Sequence, residues 1–75
     1  MAENESTRIE IGFDGGQIMS AIVTAKSADA LELAVSGGSV GTINLDAADG
    51  RYTVVLPRVV YVKRFAREAK VGFES

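Results

Sequence analysis

The sequence predicts an all-β fold: a small, strongly bent barrel of five to six strands in a single domain of 75 residues. Three observations predict it. Apolar residues recur with a period near two in short runs, the mark of half-buried strands. Those runs are separated by Gly-rich turns: Asp14-Gly15-Gly16, Ser36-Gly37-Gly38-Ser39 and Asp46-Ala47-Ala48-Asp49-Gly50. Finally, residues 52–62, Tyr-Thr-Val-Val-Leu-Pro-Arg-Val-Val-Tyr-Val, are apolar on both faces of an extended chain. A chain this short has one small core, and closing a sheet on itself also hides its strand edges.

The elements follow in order. In the first strand, Ile9, Ile11 and Phe13 face one way and Arg8, Glu10 and Gly12 the other. Asp14-Gly15 supplies the positive φ angles of a tight hairpin. The second strand, residues 17–25, sets Met19, Ala21, Val23 and Ala25 against Ile18, Ser20, Ile22 and Thr24. Residues 28–36 satisfy two templates. Their Ala and Leu content favours a helix, with Ser27 as N-cap and Gly37 as C-cap, which would make the fold α+β. Yet Leu31, Leu33 and Val35 alternate with Glu32, Ala34 and Ser36, and a helix would put Leu33 off the face shared by the other two. The alternation predicts a third strand. Residues 40–45 and 51–56 form a hairpin. Pro57, the sole proline, has no N–H to donate and marks a break before a sixth strand over 59–65. Residues 70–73 can add a last edge strand, and residues 1–6 read as a mobile tail ahead of a domain over 7–75.

Composition narrows the chemistry. Cysteine and histidine are both absent, so there is no disulfide framework, and a metal site would have oxygen ligands only. No apolar run approaches the roughly 20 residues of a membrane span. The acidic, polar first residues lack the basic start and apolar core of a secretory signal. A cytoplasmic, membrane-free protein is the expectation.

Small domains without disulfides or metals are commonly supported by self-association. The two-faced apolar stretch supplies a surface for it, so Val54, Val55, Leu56, Val60 and Val62 are the predicted oligomer interface, with a second copy of the chain, or another protein, as partner.

Charge is unevenly spread. Residues 1–50 carry Arg8 and Lys26 against eight carboxylates, whereas residues 51–75 carry six cations against Glu68 and Glu74. Within the second group, Arg58, Tyr61, Lys63, Arg64 and Arg67 form a candidate site for nucleic acid or an acidic partner, because aromatics among cations can stack bases while the cations hold phosphates. A net charge of −2 and a pI near 4.9 weigh against a dedicated nucleic-acid domain. Catalysis finds no support. Without His or Cys the usual activated nucleophiles are missing. Asp14, Asp46 and Asp49 sit where short carboxylates bond to turn amides. Gly37-Gly38-Ser39-Val40-Gly41 lacks the Gly-Lys-Ser/Thr ending of a phosphate loop. The chain reads as non-enzymatic, without catalytic residues, metal or cofactor.

Phe13-Asp14-Gly15, the long strand over 17–25, Asp29-Ala30-Leu31-Glu32-Leu33 and Val59-Val60-Tyr61-Val62 together resemble the SH3-like barrels of the Sm-like kind. The resemblance covers about three quarters of the chain and implies a bent barrel, ring assembly and RNA binding. Two positions depart from that pattern. Ser20 or Ala21 stands where glycine is usual, and Pro57-Arg58 where an RNA-contacting turn is usual. A second likeness, carried by Ile11-Gly12, Tyr61-Val62 and Val71-Gly72-Phe73, is to a small family of actinobacterial proteins with a helix in the middle. It implies the α+β alternative, with one short helix at about 28–36, and a bacterial source.

Overall fold

A computed structural model describes residues 5–66 of the chain. The elements are β1 (Ser6–Phe13), β2 (Ile18–Thr24), α1 (Ala25–Ser36), β3 (Thr42–Ala47), β4 (Gly50–Val55), a 3-10 turn (Leu56–Arg58) and β5 (Val59–Arg64). The structure is mostly β. Its five strands form one antiparallel sheet in the order β4-β3-β2-β1-β5, with α1 crossing from β2 to β3. The expected edge strand over 70–73, part of the 1–6 tail and Arg67 lie outside the described residues.

The first hairpin forms as its sequence suggests. Gly15 and Gly16 both take φ near 89°, and the Phe13 N–H donates to the Gln17 carbonyl at 2.8 Å. Register then follows from burial. Ile9 and Ile11 are fully buried and lie opposite Ala21 and Met19 of β2, so Arg8, Glu10 and Gly12 share the other face with Ile22, Ser20 and Ile18.

Residues 28–36 are a helix, not the third strand that the alternation suggested. Ala28, Leu31, Ala34 and Val35 recur at helical spacing and pack on the core, while Leu33 is left 75% exposed. The alternation of Leu31, Leu33 and Val35 is therefore incidental, and the protein tolerates one solvent-facing leucine. The cap is Thr24 rather than Ser27: its hydroxyl accepts the Ser27 N–H at 3.1 Å. Ser27 is buried and fixes the helix to β3, its Oγ accepting the Asp46 N–H at 2.9 Å. At the other end, the N–H groups of Gly37, Gly38 and Ser39 return to the carbonyls of Leu33, Val35 and Ala34, with Gly38 at φ 71°.

The sheet is not closed into a barrel. Strands β4 and β5 are its two edges, and no ladder joins them among the described residues. β2 is paired with β1 along its whole length, but with β3 only at Val23–Ala47, extended by the Ala48 N–H to the Ile22 carbonyl at 2.8 Å. The β3–β4 hairpin therefore splays away from β2. Helix α1 fills one end of the hollow. The core is Ile9, Ile11, Val23, Ala28, Leu31, Leu45, Val54 and Leu56.

Pro57 sits in the 3-10 turn, where its missing N–H costs no ladder bond. That turn resets the phase of the long apolar run. Val54 before it and Leu56 at its first position are buried in the core; Val59 and Val62 pack against the core after it, with a register shift where Phe13 meets Val59.

Candidate interaction surface

The five predicted interface residues, four valines and a leucine, are divided by the sheet. Val54 and Leu56 are buried in this chain's own core, and Val62, opposite Ile11, packs against it. Val55 and Val60 alone remain well exposed, at 48% and 64%. They stand on different edge strands, one ending β4 and the other near the start of β5, on either side of the 3-10 turn. A sheet edge offers unpaired backbone N–H and C=O groups, and an exposed β-branched side chain adds an apolar contact beside them.

The basic cluster is divided as well. Arg64 shares its face of the sheet with Ile9 and reaches across to α1, donating from Nη1 to Asp29 at 2.7 Å and to Glu32 at 3.2 Å. The Asp29 hydrogen bond, helped by both carboxylate charges and opposed by partial burial, raises the Arg64 pKa above its usual value. Arg58 pairs with Asp14 at 3.3 Å, and the Asp14 N–H donates to the Arg58 carbonyl at 2.9 Å, so this contact ties the 3-10 turn to the first hairpin. Tyr61 and Lys63 face the opposite side, beside Gly12 and Glu10. Arg58, Tyr61, Lys63 and Arg64 therefore do not converge on one surface, and Arg58 and Arg64 already hold carboxylates.

The face turned away from α1 is better populated than the sequence suggested. Three rows run across β2, β1 and β5. Ile18, Gly12 and Tyr61 form the first; Ser20, Glu10 and Lys63 the second. In the third, Ile22 and Arg8 are joined by Phe65, whose N–H continues the ladder to the Arg8 carbonyl at 3.0 Å. The Tyr61 hydroxyl donates to Glu10 Oε2 at 2.5 Å, and this bond, with minor burial and the carboxylate charge, raises the Tyr61 pKa above 10.0. Arg8 and Lys63 lie 4.9 and 4.5 Å from the centre of the Phe65 ring. Alternation placed Arg8 and Glu10 on one side of β1. Nothing in the sequence announced that β5 would pair there and bring Phe65 to them.

The carboxylates expected to bond turn amides are engaged by side chains instead, and Asp46 lies within β3. Asp49 accepts the Tyr52 hydroxyl at 2.8 Å, and Asp46 lies 3.7 Å from Arg51. Among the described residues no group of three or more His, Cys, Asp or Glu side chains is placed to hold a metal ion. A concavity of about 320 Å³ opens between the hairpin end of β1–β2 and β4, walled by Phe13, Met19, Tyr52, Val54 and Val55, with Asp14 and Arg58 at its rim. No helix among the described residues is long and apolar enough to cross a membrane.

No family model, no curated protein and no solved structure matches this chain. The described residues offer a partner two strand edges, two edge valines and a mixed aromatic and basic sheet face.

Proposed function

We propose that the protein is a non-enzymatic module that self-associates through the edges of its sheet. The observation that carries this reading is that both edge strands, β4 and β5, present an exposed valine, Val55 on one and Val60 on the other, beside backbone that no other described strand pairs. Pairing β4 of one copy with β5 of the next would satisfy both edges at once. Such head-to-tail contacts close into rings when the rotation between copies permits. In this reading the barrel expected from the sequence is completed between chains rather than within one. The same pairing would extend the apolar burial that a chain of 75 residues obtains only sparingly alone.

Native mass spectrometry on the full chain tests the proposal. A discrete oligomer that Val60→Asp converts to folded monomer is the expected result. A wild-type chain that remains monomeric at micromolar concentration overturns it.

A further inference from the structure

Beyond edge pairing, the sheet face opposite α1 carries a charge pattern of its own. Among the described residues, the other three arginines each have a carboxylate partner: Arg51 with Asp46, Arg58 with Asp14, Arg64 with Asp29 and Glu32. Arg8 has none among the described residues, nor has its neighbour Lys63. Glu10 is the single carboxylate on the β1, β2 and β5 positions of this face, and Tyr61 engages it. The two cations instead lie against the same ring, that of Phe65. Two like charges held against one aromatic repel each other, and a ligand carrying negative charge relieves that repulsion. The ground around them is apolar and exposed: Ile18 at 62%, Ile22 at 49% and Tyr61 at 38%. No described element of the chain covers it.

We infer that this face docks an extended acidic segment of a partner protein, with Arg8 and Lys63 receiving two of its carboxylates and Phe65 and Ile22 its apolar side chains. The spacing fits. Arg8 lies opposite Phe65 and Lys63 opposite Glu10, so the two cations are diagonal neighbours on adjacent strands, about 7–8 Å apart at the backbone. Alternate residues of an extended chain are separated by about 6.5–7 Å. A Glu-x-Glu sequence therefore presents both carboxylates to both cations, and the next residue on that side falls over the apolar row. A polynucleotide fits less well. Two cations neutralise about two phosphates, which matches a pair of carboxylates but not the run of charges along a strand.

The test is amide chemical-shift mapping on the isotopically labelled full chain. The probes are the capped peptide Ser-Glu-Ser-Glu-Ser-Leu-Ser-Val, its counterpart with Gln for Glu, and single-stranded oligothymidylate. The expected result is saturable shifts at Arg8, Ile22, Lys63 and Phe65 with the Glu peptide. Affinity should fall at least about tenfold with the Gln peptide, and by a similar factor in the Arg8→Glu/Lys63→Glu variant. Both residues are exposed, and retention of the β1–β5 amide pattern in that variant shows that the sheet persists. Equal binding of the Glu and Gln peptides, no shifts at millimolar peptide, or tighter binding of oligothymidylate at the same residues each overturns the inference. Because the readout is local and per chain, it fails or succeeds independently of whether the edges assemble.

Discussion

The ring of Tyr61 lies over the α-carbon of Gly12, so closely that a Cβ at Gly12 would come within 2.0 Å of Tyr61 Cε2. The glycine is ordinary extended backbone within β1, directly opposite Tyr61 on β5. Its service is space. An aromatic on the neighbouring strand covers the bare backbone and carries its hydroxyl to Glu10, two residues along β1.

This arrangement sets the sign of a substitution. Gly12→Ala normally favours a strand, since glycine loses the most backbone freedom on folding. Here it should destabilise the protein, by about 1–3 kcal/mol, because the added methyl evicts the Tyr61 ring. In a Tyr61→Ala background the same change should become neutral or stabilising. Denaturant unfolding of the four proteins of the cycle checks this. Additive effects would show that the ring does not depend on the empty position.

Two tyrosines tie stability to alkaline pH. Hydrogen bonds to Asp49 and Glu10 raise the pKa values of Tyr52 and Tyr61 above 10.0, because each carboxylate accepts a proton that only the neutral phenol can donate. A folded-state pKa above the unfolded one gives stability that is fully present below the unfolded value and lost as pH rises through the folded value. Unfolding free energy should therefore decline from about pH 10 upward. The Tyr52→Phe/Tyr61→Phe variant should lose that part of the decline. An identical alkaline slope in the variant would assign it to other groups.

The fate of residues 28–36 shows what was legible and what was not. The alternation in β1, the Asp14-Gly15-Gly16 turn and the β3–β4 hairpin are local patterns, and the chain obeys them. The helix failed the same local test because Leu33 breaks its apolar face. Only the docking of Ala28, Leu31 and Val35 on the core decides against the strand. Likewise residues 52–62 read as one strand with two apolar faces. The 3-10 turn at Pro57 divides that run: Val54 and Leu56 are buried in the core, and Val62, beyond the turn, packs against it. The Arg8–Phe65–Lys63 cluster depends on β1 pairing with β5 from the opposite end of the chain. No local pattern encodes that register.

Arg64 joins the last strand to the helix, and its replacement should loosen that joint. The guanidinium is itself only 31% exposed, while Asp29 and Glu32 are more open, so each contact belongs with partly screened surface pairs. Arg64→Met should cost up to about 1 kcal/mol, less at high salt. Arg64→Glu should cost more, since it sets three carboxylates together. Hydrogen exchange localises the effect. Faster exchange in α1, with β1–β2 unchanged, is the expected pattern, and uniform acceleration would count against a local clip.

The sharpest separation lies between two valines in the same apolar run. Val54 is 3% exposed and lies opposite Ile43 in the core, whereas Val60 is 64% exposed on β5, an edge strand of the described sheet. Val54→Asp places an unpaired charge in the core, a change expected to cost several kcal/mol and to unfold a domain of this size. Val60→Asp adds a charge where solvent already reaches, so the fold should persist, with thermal stability of the monomer changed by about 0.5 kcal/mol or less. The same carboxylate on an edge strand opposes pairing with another chain, a device natural sheets use against edge-to-edge association. Circular dichroism and native mass together should therefore report opposite failures: loss of structure for Val54→Asp, loss of assembly with structure retained for Val60→Asp. If Val60→Asp leaves the native mass unchanged, the β5 edge plays no part in assembly. If it unfolds the monomer, Val60 belongs to the core in spite of its exposure.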